Sequence, residues 1–190
     1  MRYILTRGFT LLETFIVIAI SVVALAALSN LFIIFNNTYG YQQAFMAGAG
    51  SASNAMNAIE AAILPADQVV ASHSFSGTAY SSGATTLVLG LPSVDSSGNI
   101  IAGVSDYIVF YTSSTNLYRL TAAGAGSTRT SGLKKLSTTL FSISFTYDNV
   151  DFTKVTNVAT DIVTRAQFKQ QTVQSHLNEQ VYLRNPQPLP

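Results

Sequence analysis

The sequence predicts an α+β protein, with one long N-terminal helix laid on an antiparallel β-sheet. Three observations lead there. An apolar run extends from Phe9 to Phe35 and carries a single charge, Glu13. A second helical pattern follows, in which Phe45, Ala49, Ala52, Ala55, Met56, Ile59 and Ile63 recur at spacings of three and four until Pro65. Beyond Pro65 the period changes to two, and short alternating runs are separated by Gly, Ser and Asn.

The first run is 27 residues long, and about 20 suffice to cross a bilayer. Arg2 and Arg7 precede it, so the positive-inside rule leaves the N-terminus in the cytoplasm and the rest of the chain outside. A secretory signal is one alternative, since Ala24-Leu25-Ala26 fits a cleavage site. Against it, the run continues through Leu31, Phe32, Ile33, Ile34 and Phe35 with no polar segment. A plain membrane anchor predicts the same topology but leaves Glu13 without a role. A buried core helix is disfavoured by the length. A carboxylate at the centre of a membrane helix costs about 2.5–3.5 kcal/mol, so it calls for a partner or a purpose.

The string Gly8-Phe9-Thr10-Leu11-Leu12-Glu13, behind two basic residues and at the head of an apolar helix, resembles the processing signal of type IV pilins and pseudopilins. The resemblance implies that prepilin peptidase cuts between Gly8 and Phe9 and that Phe9 is then N-methylated. Thr10, Leu11 and Leu12 would complete the peptidase and packing site, and Glu13 would guide assembly. The physics agrees with that role. Cleavage creates a cationic amine, and an axially shifted neighbour could bring its amine to Glu13 inside an apolar core. A matched pair is tolerated there, whereas one unpaired charge is not. The expected organisation is a leader at 1–8, a transmembrane half-helix at 9–35, an amphipathic half at 36–64, a β-domain at 65–185 and a loose tail at 186–190.

From Phe9 to Leu64 such a helix would be about 84 Å long at 1.5 Å per residue. Gly40, Gly48 and Gly50 weaken it, each by about 1 kcal/mol against Ala, which predicts a bend or local melting near residues 36–50. Its amphipathic stripe is expected to pack on the chain's own sheet. Many fibre-forming pilins carry a proline in the membrane half; Asn30 stands there in this chain, which leans towards a minor subunit.

Strands are expected at 68–71, 85–91, 107–111, 117–120, 140–147, 158–168 and 171–183. Ser113-Ser114-Thr115-Asn116 closes a hairpin between the third and fourth, and one sheet is expected overall. In 140–147, Phe141, Ile143, Phe145 and Tyr147 alternate with Ser142, Ser144 and Thr146, placing one face in the core. The segments Asp106 to Tyr111, Leu117 to Leu120 and Val181 to Asn185 resemble J-type minor pseudopilins of type II secretion and W-type minor pilins.

Composition narrows the chemistry. Hydrophobic residues make up 48% and charged residues 10%, and the net charge of +1 gives no nucleic-acid footprint. Without residues 1–8 the chain would hold 8 basic and 9 acidic side chains, a net −1. No cysteine is present, so the C-terminal disulfide of many pilins cannot form. His73 and His176 lie in no metal-ligand spacing and are expected to be solvated. Asp106, Asp148 and Asp151 are weak candidates for a shared calcium ion, against a reading as turn residues. Gly124-Ala125-Gly126-Ser127 lacks the lysine of a phosphate loop and reads as a flexible loop. Asn36-Asn37-Thr38 fits a glycosylation sequon, and Lys134-Lys135 reads as a solvated strand edge.

No catalytic constellation is evident, and no cofactor or enzymatic activity is expected. The expected function is that of a processed pilin-like subunit. Its partners would be prepilin peptidase/methyltransferase, other pilin or pseudopilin subunits through the helix, the inner-membrane assembly platform, and the lipid bilayer before assembly. It would pass from the inner membrane to a periplasmic pseudopilus or a surface pilus, as a minor tip or initiation subunit. The alternatives are a major pilin, or a membrane-anchored extracellular binding domain presenting Tyr107, Tyr111, Tyr118 and Tyr147.

Overall fold

Helix α1 runs without interruption from Leu11 to Ile63 in the computed structural model, which describes residues 10–184. The expected leader, the Gly8–Phe9 junction and the tail at 186–190 lie outside the described residues. Gly40, Gly48 and Gly50 are all helical, so the local melting expected near 36–50 does not occur. At one of them the reason is tertiary: the Gly48 carbonyl accepts a hydrogen bond from the buried Thr164 hydroxyl at 2.9 Å. The chain divides after Gln43 into two compact units. In the first, no described residue is buried, and every position of the apolar run from Leu11 to Phe35 is exposed.

In the second unit, α1 turns one row into the core: Gly48, Ala52, Ala55, Met56, Ile59, Ala62 and Ile63. Phe45 and Ala49, expected in this row, are exposed and half-buried respectively; the row of buried positions starts at Gly48 and continues at Ala52. The helix ends where Pro65 follows Leu64, whose amide makes the last helical bond to Glu60.

Ten strands follow: β1 (Gln68–Val69), β2 (Ser72–Phe75), β3 (Thr78–Ser81), β4 (Leu87–Val94), β5 (Ile100–Ser113), β6 (Asn116–Ala122), β7 (Gly132–Ser137), β8 (Leu140–Tyr147), β9 (Asn157–Phe168) and β10 (Gln171–Tyr182). A short 3-10 turn, Phe152–Lys154, precedes β9. One sheet was expected; the described residues form three. A five-stranded antiparallel sheet has the order β1-β4-β5-β6-β7, a three-stranded one the order β10-β9-β8, and β2 and β3 form a separate hairpin. The chain changes sheets at Thr138–Thr139. There the Ser137 hydroxyl accepts from the Thr139 amide at 3.3 Å and bonds to Ser51 of α1 at 2.8 Å. Strand β7 therefore stays on β6 while β8 leaves to pair with β9.

Both larger sheets place their inner faces against the C-terminal part of α1. Leu89, Ile108, Phe110 and Leu117 come from one, Leu140, Ile143, Phe145 and Ile162 from the other, and all join Met56 and Ile59 in one core. Leu87, Val88, Leu89 and Leu91 of β4 are buried on both faces, because the β2–β3 hairpin covers the outer side: Phe75 packs with Val88 and Val109 in a second cluster. Strand β8 departs from simple alternation. A register irregularity between Leu140 and Ser142 turns Leu140 inward and leaves Phe141 exposed, where the Arg165 guanidinium lies 3.0 Å from its ring centroid.

Candidate functional site

The first turn of α1 gathers four of the sequence-predicted site residues. Thr10 is non-helical and Leu11, Leu12 and Glu13 open the helix. The Glu13 amide donates to the Thr10 hydroxyl at 3.3 Å, and the Thr10 amide donates to the Glu13 carboxylate at 3.4 Å. This reciprocal pair is a capping box, which satisfies donors that the first turn otherwise leaves unpaired. The carboxylate also sits at the positive end of the helix dipole. Glu13 thus has a local structural role in the single chain, which the sequence reading missed although the pattern Thr-x-x-Glu was visible. Gly8 and Phe9, the other two predicted residues, lie outside the described residues.

Around this cap, Leu11 and Leu12 are 77% and 70% exposed and the apolar side chains onward to Phe35 face outward. Among the described residues, α1 is the one helix long and apolar enough to cross a membrane.

The three aspartates considered for a cation each have other work. Asp106 is completely buried. Its carboxylate accepts from Ser93 Oγ at 2.6 Å, the Gly124 amide at 2.7 Å, Ser127 Oγ at 2.8 Å and Arg129 Nη1 at 2.5 Å. Burial pushes its pKa up, but these bonds outweigh it and hold the pKa below the ordinary carboxylate value. The supposed flexible loop at Gly124–Ser127 is therefore pinned on a buried charge. Gly124 is also sterically required, since a Cβ there would lie 2.4 Å from Val104 Cγ1 and 2.9 Å from the Ser105 carbonyl. Asp148 accepts from Thr156 and Asn157, and Asp151 caps the 3-10 turn through Thr153. Their pKa values are also lowered, Asp148 by its hydrogen bonds despite burial and Asp151 by Thr153. No group of three His, Asp or Glu suited to a metal forms among the described residues, so the shared-cation arrangement is not assembled.

The histidines were expected to be solvated. His73 is instead half-buried and stacked on Tyr107 at 3.6 Å between ring centroids, and burial lowers its pKa. His176 is exposed but meets Asp161 at 2.6 Å. The tyrosines do not form an open aromatic surface. Tyr111 stacks on Tyr118 and contacts Tyr80 of the covering hairpin. Tyr147 donates to the Gly83 and Thr86 carbonyls, and burial pushes its pKa up to about 12. Lys134 and Lys135 do lie exposed on the edge strand β7.

No family model, no curated protein and no solved structure matches the chain.

Proposed function

We propose that this chain is a pilin-like structural subunit, processed between Gly8 and Phe9 and assembled through α1 into a type IV pilus or type II secretion pseudopilus. The observation that carries this reading is a single carboxylate, Glu13, at the head of a helix whose apolar side chains are exposed along the whole first unit. That pattern suits a helix solvated by lipid and later by other helices. It also suits an ion pair formed only when a second chain brings its amine to Glu13. The α+β architecture, a long N-terminal helix packed on antiparallel sheets, supports the same reading. Partners on this proposal are prepilin peptidase, other subunits and the inner-membrane assembly platform. The departure at Asn30 and the segments 106–111, 117–120 and 181–185 favour a minor, tip-proximal role.

Two measurements test it. Intact mass of the exported chain should show loss of residues 1–8 and one added methyl group; retention of Met1, or cleavage after Ala26, would reject the proposal. The capping box makes the choice of Glu13 variant important. Glu13→Gln keeps a side-chain acceptor for the Thr10 amide and removes only the charge. It should leave cleavage intact and reduce fibre incorporation as strongly as Glu13→Ala. If Glu13→Gln incorporates normally, the ion-pair mechanism is wrong and the residue is only a cap.

A further inference from the structure

A cleft of about 440 Å³ opens between the C-terminal end of α1 and the inner face of β6, and two guanidinium groups line it, Arg119 and Arg129. Arg119 stands directly opposite Phe110 in the β5–β6 ladder. Phe110 is fully buried in the main core, and Leu117 and Thr121, two residues to either side of Arg119, are buried as well. Arg119 therefore lies in the helix-facing row of β6, between the buried Leu117 and Thr121. Its Nε is buried with no hydrogen-bond partner. No carboxylate pairs with it among the described residues: Asp106 is bonded by Arg129, which also donates to the Pro92 carbonyl. Of the two positive groups that line the cleft, Arg129 has its counter-charge in Asp106 and Arg119 has none among the described residues.

Arg119 is half-buried, and leaving its closed-off Nε without an acceptor is costly; the planar fork of guanidinium donors matches carboxylate and phosphate oxygens. The remaining walls are mixed. Ala62, Pro65 and Leu91 are apolar, while Thr130 adds a hydroxyl. We propose that this cleft binds an oxyanion, a carboxylate or phosphate carried on a small apolar body, with Arg119 as its main ligand. The site belongs to the β-domain and does not depend on how α1 is processed or assembled.

The test uses the full chain in detergent micelles, titrated calorimetrically with propionate, benzoate, inorganic phosphate and phenyl phosphate at constant ionic strength against chloride. Saturable binding is expected, with the aromatic member of each pair about tenfold tighter than its small counterpart because its body covers the apolar wall. The tighter of benzoate and phenyl phosphate identifies the head group. Arg119→Gln should weaken binding about tenfold or more. Arg119→Lys keeps the charge, loses the fork and should fall between. Circular dichroism checks that each variant is folded. Absence of saturable binding to the wild type, or equal binding by a folded Arg119→Gln, overturns the proposal; should Arg119→Gln fail to fold, equal binding by Arg119→Lys does so.

Discussion

The two units of this chain answer opposite solvent problems with the same residue types. From Leu11 to Gln43, Leu, Ile, Val and Phe point outward and no residue is buried. From Ala44 onward the same residue types supply the core, and Ile59, Leu89, Phe110 and Ile162 are fully enclosed. Secondary structure does not distinguish the two, since α1 belongs to both. What changes is the spacing of small and polar residues around the helix. Residues 11–35 are apolar on all sides, whereas residues 48–63 confine their core contacts to one row. An all-round apolar helix expects an apolar medium, and a striped one expects a single packed face.

The largest effect should come from breaking the first half of that comparison. Ile18, Val22 and Leu25 lie on one face of α1 and are exposed. Changing all three to Asp costs about 3 kcal/mol each at the centre of a membrane helix, about 9 kcal/mol in total. The triple variant should leave the membrane fraction on flotation. Its β-domain should still unfold within about 0.5 kcal/mol of wild type, because surface substitutions remote from the core change little. A triple variant that remained membrane-bound, or whose β-domain collapsed, would break the contrast between the units.

The next effect belongs to the second unit. Asp106→Ala removes the acceptor for Ser93, Gly124, Ser127 and Arg129 together. Breaking a buried pair costs about 3–5 kcal/mol, and here the lower end applies, since the Arg129 side chain is 27% exposed and can rehydrate. The melting temperature should drop by about 10 °C. The pH dependence has a definite sign. The folded pKa of Asp106 is depressed, so its contribution is complete above the unfolded value of about 3.9 and fades as pH falls through the lower folded value. Wild type should lose this increment below about pH 4; Asp106→Ala should titrate with a shallower slope in that range.

These two tests also mark what was legible beforehand. The apolar run, the stop at Pro65 and strands β8, β9 and β10 could be read because each is fixed by local periodicity. Asp106 was nearly legible: alternation places it in the inward row of Ile108 and Phe110. Its partner was not, because Arg129 lies 23 residues away across a loop whose glycines looked merely flexible. The β2–β3 hairpin escaped for a similar reason. Its strands are four residues each, and only Phe75 is buried. The division into separate sheets was also hidden, since strand pairing is non-local: β8 follows β7 in the chain but pairs with β9. At the head of α1 the order was reversed. The pattern Thr-x-x-Glu signals the cap locally, while the charge of Glu13 signals a partner outside the chain.

The smallest expected effect sharpens the boundary between the units. Gly50 lies within α1 just past that boundary, is exposed, and has no heavy atom within 4 Å of where a Cβ would stand. Replacing it by Ala removes backbone freedom from the unfolded chain and adds no clash, a gain of about 1 kcal/mol. For a unit of this size that corresponds to about 2–4 °C in melting temperature. The gain appears in full only if this turn of α1 melts together with the sheets on which residues 48–63 pack. If the helix near Gly50 instead melts before the β-domain, the domain's transition will not move, while helix content measured by circular dichroism at lower temperature will rise. The position of the shift therefore reports whether cooperative folding begins at the first row facing the sheets, as the bond from Thr164 to the Gly48 carbonyl implies.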